Sequence, residues 1–221
     1  MDLDNPVWAS LTGPHARFAE RRGAAARYRP DLSPFAALAD PADPHAWLDL
    51  AELVGPGAIA VLPGVDEAPE GWTTKASVPG VLMAGDGLAP AEDPEAVVLT
   101  DADVPEMLDL VARTDPGPFE SRTIELGTYL GIRRDGRLVA MAGERLHPPG
   151  ATEISAVCTD PDHRGQGLAA RLVGAVAANI VRRGDVPFLH ASARNTGAIR
   201  LYERLGFTLR RRRTFLVVET P

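Results

Sequence analysis

A chain of 221 residues with a net charge of −7 is long enough for one large domain or two small ones, with a core that needs no disulfide or metal. The negative balance argues against a broad basic face for nucleic acid, which requires clustered Lys and Arg. One cysteine, Cys158, excludes an internal disulfide and a cysteine-based metal site, and His15, His45, His147, His163 and His190 show no pair at metal-ligand spacing.

The opening stretch MDLDNPVWASL is acidic and lacks an apolar signal core, and no apolar run is long enough to cross a bilayer. A cytoplasmic protein without a membrane partner is expected. Residues 5–22 and 44–54 read as helices; Trp47, Leu48, Leu50, Ala51 and Val54 form an apolar face in the second. Residues 58–62 and 78–83 read as strands. Residues 85–94, rich in Gly, Pro and acidic side chains, read as a linker or a long surface loop. Two parts are therefore expected, 1–93 and 94–221. The first contains no motif that carries chemistry. It reads as a degenerate copy of the second or as a cap that walls a site.

Beyond residue 94 the pattern sharpens. Residues 96–100 form a short apolar strand, and Asp103 with Glu106 predicts a capped helix. Two strands at 129–133 and 137–146 flank the turn signal Asp135-Gly136. A strand at 154–159 precedes a helix over 167–183, with Leu168, Leu172, Val173, Val176, Ile180 and Val181 on one stripe and Gly184 at its end. A buried strand follows at 188–192. Asn195 caps a last helix that stops at Gly206, and a long strand runs from 207 to 218. Arg210–Arg213 fall within that strand and point alternately to its two faces. The order β-α-β-β-β-α-β-α-β predicts an α/β fold with a mixed sheet and helices on its faces.

The segment Arg164-Gly165-Gln166-Gly167-Leu168-Ala169 lies between a strand and a helix. The first N–H groups of a helix lack intrahelical partners and carry partial positive charge. Glycines there let a phosphate approach the backbone, so the segment suits a diphosphate. No Gly-Lys-Ser/Thr is present, which excludes a nucleotide P-loop. A dinucleotide fold also fails: Asp160–Arg164 separate the strand from the first glycine, and the next strand ends in His190-Ala191-Ser192, without a ribose-binding carboxylate.

Arg164, Gly167 and Ala169 fit the pattern Arg/Gln-x-x-Gly-x-Gly/Ala. With the downstream run Asn195-Thr196-Gly197-Ala198-Ile199-Arg200-Leu201-Tyr202-Glu203-Arg204-Leu205-Gly206-Phe207, and with Glu153–Thr159 as the preceding strand, residues 96–219 resemble the GNAT superfamily of N-acetyltransferases. The resemblance implies a mostly antiparallel mixed sheet with helices on both faces. It implies acetyl-CoA as co-substrate, with no metal, and a small-molecule or peptide amine as acceptor. The diphosphate would lie on Arg164, Gly165, Gln166, Gly167, Leu168 and Ala169. The pantetheine arm would bond the backbone of Val157, Cys158 and Thr159, with Asn195 reaching it. A monomer or homodimer is expected.

The chemistry needs a neutral amine, an oxyanion donor and a proton for the departing thiolate. The resemblance assigns the donor to the N–H of Val157 or Cys158, and the proton to Tyr202. Read by periodicity alone, Tyr202 shares the apolar face of its helix with Ala198 and Leu205 and is a core residue. Glu144 and Glu153, on strands bordering the expected site, are the candidate bases, ahead of Glu125. Cys158 reads as a small core side chain. His190 reads either as an acceptor contact or as ordinary packing or solvent exposure. Loops 116–122 and 147–150 are where acceptor choice is expected. The alternative function is an acyl-CoA sensor or an inactive scaffold.

Overall fold

The computed structural model describes residues 3–221. The first part opens with helix α1 (Pro6–Thr12), whose N-terminus is capped by the Asn5 side chain accepting from the Trp8 N–H. The helix expected over 5–22 is shorter than that. Gly13 and Pro14 stop it, because proline disfavours a helical conformation in the residue before it. Strands β1 (Ala19–Arg22), β2 (Ala25–Tyr28) and β3 (Ala36–Leu38) then form a small antiparallel sheet. Helix α2 (Pro44–Val54) covers the span expected, with Asp43 at its cap.

Strands β4 (Ile59–Pro63) and β5 (Thr73–Ala84) leave the small sheet and enter a larger one. The remaining elements are β6 (Val97–Val98), α3 (Val104–Thr114), β7 (Tyr129–Arg134), β8 (Arg137–Glu144), β9 (Ala151–Thr159), α4 (Leu168–Arg182), β10 (Val186–Ser192), α5 (Thr196–Leu205) and β11 (Thr208–Glu219). Their order from β6 is the one predicted. Start-of-helix chemistry differs from the prediction at α3: Asp103 forms its box with Thr100, while Glu106 turns away to bind Arg133.

The large sheet has the order β4-β11-β5-β10-β9-β8-β7-β6. Its pairs are antiparallel except β9 with β10. Strand β5 therefore lies between β10 and β11, so residues 73–84 are built into the middle of a sheet whose other central strands come from beyond residue 94. The expected division at residue 93 falls in the loop between β5 and β6.

Apolar side chains of α4 (Leu168, Leu172, Val173, Val176, Ile180) pack with Met83, Ile154, Leu189 and Tyr202 on one face. On the other face α1 and the small sheet pack on Leu82 and Phe188, while α3 packs with Met141, Ala156 and Cys158. Burial of these stripes drives the sandwich of helices around the sheet. The segment 85–95, read as a linker, is held against α4. Arg171 binds Asp93 at 2.5 Å and Glu95 at 2.7 Å, and Arg182 binds Glu92.

Candidate active site

Strands β9 and β10 pair only between Ala151–Glu153 and Val186–Phe188. Beyond that point they part, since β10 continues its pairing with β5 on the other side. A cleft of about 1150 Å³ opens in and around the gap. It reaches both sides of the sheet. On one side it is lined by the loop before α4 and by α5, on the other by Phe35, Val61, Val78 and Phe215.

A bulge shapes the β9 wall. Met141 pairs with Cys158 and Gly143 with Ser155, which leaves Ala156 and Val157 outside the regular ladder. Ala156 takes φ +51°, a conformation that costs a non-glycine residue about 1–2 kcal/mol. Such strain concentrates at sites that need an aimed backbone. The bulge also reverses the alternation: Ile154 packs on the α4 side, whereas Ala156 and Cys158 pack on the α3 side.

The end of β9 is tied down by Asp160. This buried carboxylate accepts from the Asp162 N–H at 3.0 Å and from Arg113 of α3. The chain then enters the glycine loop. Gly165 has φ +78° and Gly167 φ +74°, and no heavy atom lies within 4 Å of where a Cβ would stand on either. Gly167 is the N-cap of α4 and supplies no side-chain cap. The first N–H groups of a 15-residue helix thus face the cleft without a side-chain acceptor. Thr159 Oγ1 is buried at the same wall with no hydrogen-bond partner among the described residues. Open glycine positions, an uncapped helix start and an orphaned hydroxyl fit a phosphorylated co-substrate with polar groups along its length.

Most of the residues expected at the site do line this cleft: Val157, Cys158, Thr159, Arg164, Gly165, Gly167, Leu168, Ala169, Asn195 and Tyr202. Gln166 is exposed and not part of the lining. The Asn195 side chain caps α5 by accepting from the Ala198 N–H at 3.0 Å. The Tyr202 side chain is buried, and burial pushes its phenol up to about 12, with Cys158 adding to the shift. Burial likewise pushes the Cys158 thiol up to about 11, so it stays protonated at neutral pH.

The two candidate bases lie outside the lining. Glu144 is buried against Arg183 at 2.9 Å, with His147 Nε2 at 3.7 Å. Glu153 is wholly buried. It accepts from Arg145 at 2.9 and 2.8 Å, and its Oε1 lies 2.7 Å from His190 Nδ1. Burial opposes its charge, but the Arg145 charge and the hydrogen bonds from Arg145 and His190 outweigh that and hold the carboxyl at about 2. Its partners Arg145 and His190 do line the cleft. Of the two expected acceptor loops, Pro116–Pro118 reach the cleft and 147–150 do not. Phe35, Val61 and Val78 had no signal in the sequence, because only tertiary packing brings the first part of the chain to this wall.

Comparison with known proteins agrees with the geometry. Residues 129–216 match the FR47-like protein family. A putative acetyltransferase from the GNAT family of Novosphingobium aromaticivorans superposes with a TM-score of 0.91, at 43% identity, over 99% of this chain and 98% of that one. The chain belongs to the GNAT family. A GCN5-related N-acetyltransferase from Kribbella flavida, at 21% identity and a TM-score of 0.67, shares this GNAT fold over 100% of the chain and 96% of its own length. Among curated proteins, the mycothiol acetyltransferase of Thermomonospora curvata is 32% identical over 80% of this GNAT chain and 58% of its own length. That of Salinispora arenicola is 35% identical over 63% and 45%. The chain spans about half the length of these curated relatives.

Proposed function

We propose that this GNAT protein transfers an acetyl group from acetyl-CoA directly to a primary amine. The observation that carries the reading is the union of two features in one cleft. These are the parted strands β9 and β10, and the uncapped start of α4 behind Gly165 and Gly167. Arg164 and the N–H groups from Gly165 to Ala169 would hold the diphosphate. Val157, Thr159 and Asn195 would hold the pantetheine arm in the gap. Acetyl-CoA, when bound, supplies an activated acetyl thioester.

The remaining work falls to the chain's own groups. The bulge at Ala156 and Val157 turns backbone polar groups out of the ladder, and an N–H at Val157 or Cys158 is suited to the oxyanion. Tyr202, held protonated by burial, suits donation of a proton to the departing sulfur. Cys158 keeps its proton, which favours direct transfer over an acyl-cysteine.

The test is amine-dependent release of CoA thiol. Acetyl-CoA is incubated with the protein and a panel of primary amines, mycothiol's deacetylated precursor included, and free thiol and acetylated product are measured. Product with one amine class supports the proposal. Calorimetric binding of acetyl-CoA without any thiol release would replace it with a sensor. The location expected from the sequence, the cytoplasm, stands as part of the same proposal; among the described residues no helix is long and apolar enough to cross a membrane.

A further inference from the structure

His190 sits at the point where the cleft crosses the sheet. Its side chain is 3% exposed, and its ring packs edge-on against Phe188 and Phe215 at 5.8 and 5.5 Å. Nδ1 lies 2.7 Å from Glu153 Oε1. Nε2 has no hydrogen-bond partner among the described residues, keeps some accessible surface, and belongs to a residue that lines the cleft. One ring nitrogen is therefore committed to a carboxylate and the other is open to the space where an acceptor would stand. The carboxylate is itself fixed by two hydrogen bonds from Arg145.

This is the arrangement a general base requires: a reactive nitrogen facing the substrate, a second nitrogen whose tautomer is set from behind, and an orienting group that is held in turn. We propose that His190 Nε2 is the base that takes the proton from the acceptor ammonium, with Glu153 as its positioning residue. Glu153 donates nothing and needs no access to the cleft. Its ionised carboxylate accepts a hydrogen bond from Nδ1–H, which stays on the ring, and offsets the imidazolium charge that forms.

His190 Nε2 takes one proton from the ammonium and later passes it to solvent. The freed lone pair forms the N–C bond, and the C–S bond breaks. The departing sulfur gains a proton from Tyr202, which recovers one, through water, from the acetylated nitrogen. The charged and titratable groups around His190 are Glu153 of β9 and Arg145 after β8, with the phenols of Tyr28 and Tyr129 coupled to that pair. Strands β5 and β11 present Leu82 and Phe215. Glu153 is thus the only carboxylate paired to the ring among the described residues.

The inference rests on the acetyl-transfer reading, and the experiment separates the two. Wild-type protein and His190→Asn are assayed for CoA thiol release with 2-phenylethylamine, spermidine, glucosamine and an alanine-terminated peptide. The best acceptor is then followed across pH. His190→Asn should lower kcat/KM by at least about tenfold, near the bottom of what a base supplies, with unchanged acetyl-CoA affinity and loss of the limb that rises with pH. Turnover by wild type with none of these amines sinks the acetyl-transfer reading and this role with it. Turnover that His190→Asn leaves intact, rising limb included, sinks only this role. Should the variant not fold, long-range proton–nitrogen NMR on the wild type decides. A proton on Nδ1 and a bare Nε2 are expected, and a proton resident on Nε2 at neutral pH would overturn the proposal.

Discussion

Arg145 and Glu153 meet side chain to side chain in two parallel hydrogen bonds of 2.9 and 2.8 Å, at the register where β9 stops pairing with β10. Their backbones are paired too, with the Arg145 N–H donating to the Glu153 carbonyl at 3.1 Å. Both side chains are buried. Removing one partner leaves the other charge buried without compensation. Glu153→Ala should therefore destabilise the fold by about 3–5 kcal/mol, read as a shift in the urea midpoint at constant slope. An unchanged midpoint would mean that Arg145 finds water when its partner is lost.

The same pair sets a pH dependence. The Glu153 carboxyl falls from its ordinary 4.5 to about 2 on folding. A depressed carboxyl contributes stability that is present above the unfolded value and is lost as pH falls through the folded one. Wild type should thus lose more stability than Glu153→Ala between neutral pH and about pH 2. Parallel losses in the two proteins would show that other carboxylates carry the acid sensitivity.

Gly167 tests the co-substrate cradle. A methyl group there meets no atom of the protein, but φ +74° is unfavourable for it by about 1–2 kcal/mol. Gly184, just beyond α4, has φ +87° and an equally open Cβ position. Gly167→Ala and Gly184→Ala should therefore cost similar stability. Only the first should weaken acetyl-CoA binding by about tenfold or more in calorimetry, because only there does a helix N-terminus meet the ligand. Equal affinities in the two variants would place the diphosphate elsewhere.

The glycine loop was legible in the sequence because its chemistry is local: Gly165, Gly167 and the start of α4 lie within one short segment. The same holds for Asn195 at the cap of α5 and for the strand order after residue 94. Long-range facts were not legible. Nothing in residues 73–84 announces a strand between β10 and β11, because that placement depends on partners more than a hundred residues away. The segment 85–95 has a linker's composition, yet Arg171 reaches back to pin it. From its place on a bordering strand Glu153 reads only as a candidate base, and the structure puts it outside the cleft lining. Its burial, and its pairing with Arg145 and His190, arise only when β8, β9 and β10 come together.

Cys158 separates direct transfer from a covalent route. Its thiol lies at the cleft wall but is buried and pushed up to about 11. Cys158→Ala should leave kcat close to wild type, and iodoacetamide should label the native protein slowly. A loss on the order of a thousandfold or more, of the kind seen when a nucleophile is removed, would make the cysteine an acyl carrier.

Tyr202 lines the cleft from α5. Its ring packs on Phe207 at 6.0 Å within the core beneath α5, while its hydroxyl has no hydrogen-bond partner among the described residues. Tyr202→Phe keeps the ring and removes no internal hydrogen bond, so the thermal midpoint should not fall. Acetyl-CoA affinity should also hold, since diphosphate recognition lies in the loop before α4. With the phenol pushed up to about 12, the wild-type group remains a proton donor throughout the neutral and mildly alkaline range. The variant should therefore lower kcat by at least about tenfold when transfer limits turnover, the lower end of general-acid assistance. Single-turnover rates separate that step from CoA release. If the transfer rate is unchanged in the phenylalanine variant, the departing sulfur takes its proton from water and Tyr202 serves packing alone.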